Sequence, residues 1–292
     1  MEILRLHPEC ISCLLKKQLD NFPEGTSPEK KLLCLQKILG MIAEAPPSTS
    51  APVLVRSIDR IRTELFGAPQ DYTEVKRHFN DVMLRKETAV DEKICKAKDP
   101  LLLALQYAMS GNYIDFGAMQ NVDEEELDAL LDNSCTIPVK EEAYRALRRD
   151  LLAAKRIVYL TDNCGEIVMD KLLMKEIRRQ NPEAELTAIV RGAPVLNDAT
   201  LEDAQQIGLS DAARVMDNGS DIAGTCLEEL SAEALHVIDS ADVILAKGQA
   251  NFETLRGCGR NVHYLFLCKC SLFAGRFGVP QFTGMLIHDK DS

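Results

Sequence analysis

No stretch of the chain approaches the roughly 18 uninterrupted apolar residues that a membrane-spanning helix needs, so no bilayer span is expected. The first eight residues, Met-Glu-Ile-Leu-Arg-Leu-His-Pro, offer neither a long apolar core nor a small-residue cleavage site. A cytoplasmic location is the expectation, with no membrane partner. Basic charge is scarce: 34 Lys and Arg face 45 Asp and Glu, a net charge of −11. A nucleic-acid surface would show a basic stripe. The densest basic patch (Arg145, Arg148, Arg149, Lys155 and Arg156) is broken by acids and small residues and reads as a solvated helix face. Neither Gly-x-Gly-x-x-Gly nor Gly-x-x-x-x-Gly-Lys-Ser/Thr occurs, so the dinucleotide and nucleoside triphosphate fingerprints are missing. The five histidines (His7, His78, His236, His263 and His288) form no ligand spacing and read as surface or satisfied core residues. Internal repeats, low-complexity tracts and long linkers are also lacking.

What is there is an ordinary globular composition, 46% hydrophobic and 27% charged over 292 residues, enough for two domains or one large one. The texture changes near residue 155. Before it, apolar residues recur at helical spacing: Leu14, Leu15 and Leu19, then Leu32 through Ile42, with further helices expected over 53–65, 73–89 and 123–132. After it, short apolar runs at 157–160, 186–190, 214–216, 243–246 and 262–267 alternate with helical stretches at 167–179, 199–207 and 223–235. Strands alternating with helices imply βαβ units and a mainly parallel sheet. The expected fold class is α/β, a Rossmann-like sheet with helices on both faces over 155–292, preceded by a mainly α-helical domain over 1–154.

The first strand run ends in Asp162-Asn163-Cys164-Gly165-Glu166. In open α/β sheets the loop at a strand's carboxyl end is where ligands bind, and a helix N-terminus favours anions. Two adjacent oxygen donors there suit a hard divalent cation; the plainer alternative is that one of them caps the helix. Three more strand ends are polar: Arg191 through Thr200 with Asp198, Asp217-Asn218-Gly219-Ser220-Asp221, and Lys247-Gly248-Gln249-Ala250-Asn251-Phe252-Glu253. In a doubly wound sheet these loops converge, bringing together carboxylates, amides and cations. Carboxylates bind a metal, whereas Arg and Lys bind phosphate. The outline is a site for metal-assisted attack on a phosphate ester.

The chain resembles the DUF89 family of damage-control phosphatases, in the archaeal and bacterial branch with an N-terminal Cys-x-x-Cys. The resemblance rests on segments 161–166, 191–200, 220–224 and 247–253, with Gly111-Asn-Tyr-Ile-Asp-Phe-Gly117 and Glu9-Cys-Ile-Ser-Cys13 in the helical half. It implies a metal-dependent phosphatase acting on small phosphorylated metabolites, with one divalent ion (Mg²⁺, Mn²⁺, Co²⁺ or Ni²⁺) on Asp162, Asn163 and Asp198. Glu166, Arg191, Lys247, Gly248 and Asn251 would line the phosphate and substrate pocket, reached from the helical half by Asn112 and Asp115. One departure is Leu267-Cys268-Lys269-Cys270, where relatives often carry Lys-Ala-Lys-Cys, so one lysine is lost.

In the mechanism this suggests, Lys247 and Arg191 offset transition-state charge and water is the favoured nucleophile. An aspartyl-phosphate on Asp162 is the alternative, but the second acid usual two residues later is replaced by Cys164. That cysteine has no local histidine to activate it. Cys10 and Cys13 share a helix face and suit a metal site with Cys268 and Cys270, a redox pair, or simple reduced thiols. Two other readings stay open: an S-adenosylmethionine-dependent carboxyl methyltransferase, or a non-catalytic metal- or metabolite-binding protein. A homo-oligomer is also left open.

Overall fold

The computed structural model describes residues 5–68, 71–112 and 124–291. Its compact units are Met1–Asp71 and Tyr72–Ser292. The change of texture near residue 155 marks where the first strand begins, whereas the units part at 71/72.

The first unit is helical: α1 (Pro8–Asp20), α2 (Pro28–Glu44) and α3 (Ala51–Phe66). Each has Pro in its first turn, where the missing N–H costs nothing, and the Ser27 side chain accepts from Lys30 N at the start of α2. Leu14, then Cys34, Ile38 and Ile42, then Leu54 and Ile58 form its core. The spacing of three to four residues puts each set on one helix face. Cys10 and Cys13 lie on α1, the second of them exposed.

The second unit opens with α4 (Thr73–Lys96), α5 (Pro100–Gly111), α6 (Glu124–Asp132) and α7 (Glu141–Ala153). Then come β1 (Arg156–Leu160), α8 (Glu166–Gln180), β2 (Glu185–Val190), α9 (Leu201–Gln206) and β3 (Arg214–Asp217). The chain finishes with α10 (Ala232–Asp239), β4 (Val243–Lys247), α11 (Gln249–Leu255), β5 (Val262–Cys268), α12 (Ser271–Phe277) and β6 (Thr283–His288). The sheet order is β3-β2-β1-β4-β5-β6, parallel except for β6. Alternate strand residues feed two cores, as the pleat requires. Ile157 and Tyr159 face the side covered by α4, α5 and α8, while Val158 and Leu160 face the side of α10, α11 and α12. The sequence winds from β1 outward to β3 and then returns to β4 on the other side of β1, so the topological switch lies between β1 and β4.

The five expected strands form, and β6 is additional. Gly284 and a weak alternation hid it; its buried residues are Met285, Leu286 and Ile287. The helix expected over 223–235 is shorter and later, starting at Ala232 with Ser231 as its cap. Gly224 explains this: its φ of +102° is foreign to a helix, and a Cβ there would lie 2.6 Å from the Ala250 carbonyl oxygen.

His263 of β5 has no solvent exposure and bonds through Nε2 to Asp150 Oδ2 at 2.9 Å. Burial pushes its pKa below the ordinary value, outweighing the Asp150 hydrogen bond; the neighbouring His288 adds to the lowering. A lowered folded pKa gives stability that is complete above the unfolded value near 6.5 and is lost as pH falls through the folded value. Thermal melting followed from about pH 7.5 to about pH 5 should therefore show a smaller acid loss for His263→Gln than for the wild type. Parallel profiles would contradict this.

Candidate active site

The loop after β1 begins at Thr161 and is clamped from several sides. Asn80 of α4 accepts from Gly165 N at 2.6 Å, and its amide donates to Asp203 and Gln206. Asp203 is itself bonded to a buried Lys76 at 2.6 Å and closes the capping box of α9. An isolated antiparallel bridge pairs Asn163 with Asp198, and Ala199 N donates to the Asp162 carbonyl. The loops after β1 and β2 are thereby held as one piece, with Asp162, Asn163 and Asp198 together at the sheet's carboxyl edge.

The polar side chains gathered there (Asp162, Asn163, Glu166, Arg191 and Asp198) are almost wholly shielded from solvent. The Asn163 amide donates to Asp162 Oδ2 at 2.9 Å and Glu166 Oε2 at 3.1 Å. Its partners fix which end of the amide meets the two acids: Nδ2, not Oδ1. Asn112, at the end of α5, donates to the same two oxygens at 3.1 and 2.7 Å and accepts from Leu267 N. Arg191 Nε donates to Asp198 Oδ2 at 2.5 Å; its Nη2 is buried, forms a loose ion pair with Asp162 Oδ1 at 3.9 Å and has no hydrogen-bond partner. Lys247 bonds to Glu166 Oε1 and, at 2.6 Å, to Asp170 Oδ1.

Four buried carboxylates (Asp162, Glu166, Asp170 and Asp198) thus face two buried cations, Arg191 and Lys247. Burial first, then the charges of Glu166 and Asp198, push Asp162 up to about 8 against the pull of Arg191 and Lys269. Burial likewise raises Asp198 despite Arg191, and brings Asp170 up to about 7 despite Lys247. Burial opposes the charge on Lys247, but Asp170 and Glu166 outweigh it and raise that pKa. An acid-rich cradle short of positive charge fits a divalent cation. The donors on offer, from Asp162, Asn163 and Asp198, are all oxygen, the chemistry of a hard ion.

A family model of the damage-control phosphatase ARMT1-like domain matches residues 6–284. The chain belongs to that family. A protein of Archaeoglobus fulgidus named damage-control phosphatase is 33% identical over 283 residues, 94% of this chain and 96% of that one. An uncharacterized protein of Methanocaldococcus jannaschii is 30% identical over 300 residues, 98% of this chain and 96% of that one. The crystal structure of a DUF89 family protein from Pyrococcus horikoshii has the same fold, with a TM-score of 0.79 at 24% identity over 97% of this chain and 99% of that one.

In this ARMT1-like domain most of the expected site residues come together, with three differences of role. Lys247 does not face an open pocket; its ammonium is turned to Glu166 and Asp170. Glu166 is fully buried and faces amides and the lysine. Asn251 uses both amide hydrogens on the carbonyls of Thr161 and Lys247, and its Oδ1 accepts from Thr225, so it ties backbone together. Arg191 has a donor to spare. Asp115 lies outside the described residues. Tyr159, Asp170 and Asn80 went unnoticed in the sequence. For Asp170 a signal was available, since it stands one turn beyond Glu166 on α8 and so on the same helix face.

A second group of metal-ligating side chains, Asp150, His263 and His288, brings ligand atoms within 4.8 Å of one another. Its imidazole rings are stacked at 4.4 Å and 14°. The rings lie in separate, nearly parallel planes, an unfavourable arrangement for one ion to meet both ring nitrogens in plane. No described helix is long and apolar enough to cross a membrane.

Gly248 lets the Asp162 carboxylate approach the start of α11. Its φ is +81°, and a Cβ there would lie 2.0 Å from Asp162 Oδ2. Gly248→Ala should cost about 1 kcal/mol or more in stability from the backbone conformation alone, and a crystal structure of the variant should show Asp162 displaced. An unmoved Asp162 at unchanged stability would refute the close approach.

Proposed function

We propose that this protein is a metal-dependent phosphatase that hydrolyses monoesters of small phosphorylated metabolites, sugar phosphates or related esters. The observation that carries the reading is an acid-rich, oxygen-lined cradle at the sheet's switch point, with the Nη2 of Arg191 beside it making no hydrogen bond. Asp162, Asn163 and Asp198 would hold one divalent ion (Mg²⁺, Mn²⁺, Co²⁺ or Ni²⁺), which supplies Lewis-acid charge to a phosphoryl oxygen when bound.

Arg191 has two tasks. Its Nε fixes Asp198, and its Nη2 donates to a non-bridging phosphoryl oxygen, where charge grows in the transition state. Water rather than Asp162 is the nucleophile in this account. The position two residues after Asp162 belongs to Cys164, whose thiol is fully buried and pushed further from ionising by that burial. It can serve neither as the second acid of an aspartyl-phosphate mechanism nor as a thiolate nucleophile. Relatives named damage-control phosphatases support phosphate ester hydrolysis. The net charge of −11 offers no basic surface of the kind a nucleic-acid partner needs.

The test is inorganic phosphate release from a panel of sugar phosphates and nucleotides by chelator-stripped protein, with single metals added back. Release should require a metal and fall about 100-fold or more in Asp198→Ala, because one change removes a ligand of the ion and the anchor of the Arg191 donor. Folded protein that releases no phosphate with any of the four metals would overturn the reading.

A further inference from the structure

Lys247 ends β4 with no solvent exposure. A buried ammonium must be paired, because an uncompensated charge in the interior is strongly destabilising. Its partners, Glu166 and Asp170, stand four residues apart on α8 and so on one face of the helix. Tyr159 of β1 donates to the same Asp170 oxygen that Lys247 reaches, at 2.8 Å. Burial and the neighbouring Asp170 charge keep the Tyr159 phenol protonated, hence a donor. Asp170 is therefore fixed by two donors, Lys247 and Tyr159, and stands outside the hydrogen bonds that join Asp162, Asn163 and Asp198.

The other carboxylate continues the chain of contacts. Glu166 meets Lys247 through Oε1 and accepts from both Asn112 and Asn163 through Oε2. The terminal torsion of a glutamate is broad and soft, so Lys247 decides where Oε2 points. Oε2, together with Asp162 Oδ2, decides which way the Asn163 amide is turned.

We propose that Asp170 is a positioning residue of the active site: it anchors Lys247, Lys247 pins Glu166, and Glu166 holds the Asn163 amide with its carbonyl oxygen left for the cation. Lys247 then acts on the carboxylate behind the cation's ligands and not on the phosphate. The inference rests on the cation site assigned above to Asp162, Asn163 and Asp198. Groups that orient metal ligands are commonly worth about 10–100-fold in metal affinity or activity.

The test is Mn²⁺ binding by the full chain, read from the electron paramagnetic resonance signal of free Mn²⁺, with kcat and KM on the best phosphate ester. Asp170→Ala should weaken Mn²⁺ binding by about tenfold or more and lower kcat at saturating Mn²⁺ with little change in KM. Asp170→Asn keeps an acceptor for Lys247 and Tyr159, and Tyr159→Phe removes one of two donors. Each should lose about threefold, the scale of one ordinary hydrogen bond. A merely structural role would lower the melting temperature and leave Mn²⁺ affinity alone, the pattern expected of Ile177→Ala, a cavity elsewhere on α8. Wild-type affinity in Asp170→Ala would overturn the proposal and leave the phosphatase reading standing. If that variant does not fold, wild-type affinity in both Asp170→Asn and Tyr159→Phe does the same. Wild-type protein that binds no Mn²⁺ would overturn both.

Discussion

At the end of β4 a lysine ammonium with no solvent exposure has to be neutralised by what surrounds it, and the chain provides two carboxylates from one face of α8. That requirement sets the spacing between β4 and α8, and with it the distance across the switch point. Everything nearer the surface follows from it. Glu166 is held by the lysine, the amides of Asn112 and Asn163 are held by Glu166, and Asp162 accepts from both amides. The result is a group of acids that outnumber the buried cations beside them. Such an imbalance is unfavourable in the interior unless protons or a cation offset it. The upward pull on Asp162, Asp170 and Asp198 expresses that deficit as protons, and a divalent ion would express it as a ligand.

The sheet makes this arrangement affordable in conformational terms. Residues that must sit within hydrogen-bonding reach come from β1, β2 and β4, whose parallel pairing puts their carboxyl ends side by side. The apolar cores on both faces hold these strands in place. The contributions of α4 and α5 are positional as well: Asn80 fixes the Gly165 amide, and Asn112 reaches from the end of α5 to the β1 loop and to the backbone of β5. The helices α4 and α5, read in the sequence as part of a helical domain over 1–154, lie in the compact unit that begins at Tyr72 and carries the sheet.

Much of the fold could be read from the sequence because apolar strand runs stop abruptly at polar residues. Asp162, Arg191, Asp217 and Lys247 each mark such a stop, and the stops converge. What could not be read was the direction of side chains. A lysine at a strand end looks the same whether it faces a phosphate or a buried carboxylate, and Asn251 gives no sign that its amide is consumed by backbone carbonyls. Asp170 resembles any helical acid until the sheet sets Tyr159 and Lys247 against it. His263 and His288 lie far apart in the chain and meet only through the antiparallel pairing of β5 with β6, a strand that Gly284 disguised. The late start of α10 depended on Gly224, whose left-handed backbone only a tertiary contact reveals.

The central claim is that a divalent ion belongs among Asp162, Asn163 and Asp198. The most direct measurement is an anomalous difference map from crystals equilibrated with Mn²⁺. The account predicts a single strong peak within bonding reach of oxygens from these three residues, absent from crystals of Asp198→Ala. A peak at Asp150, His263 and His288 instead, or no peak beside Asp162 at saturating Mn²⁺, would contradict it.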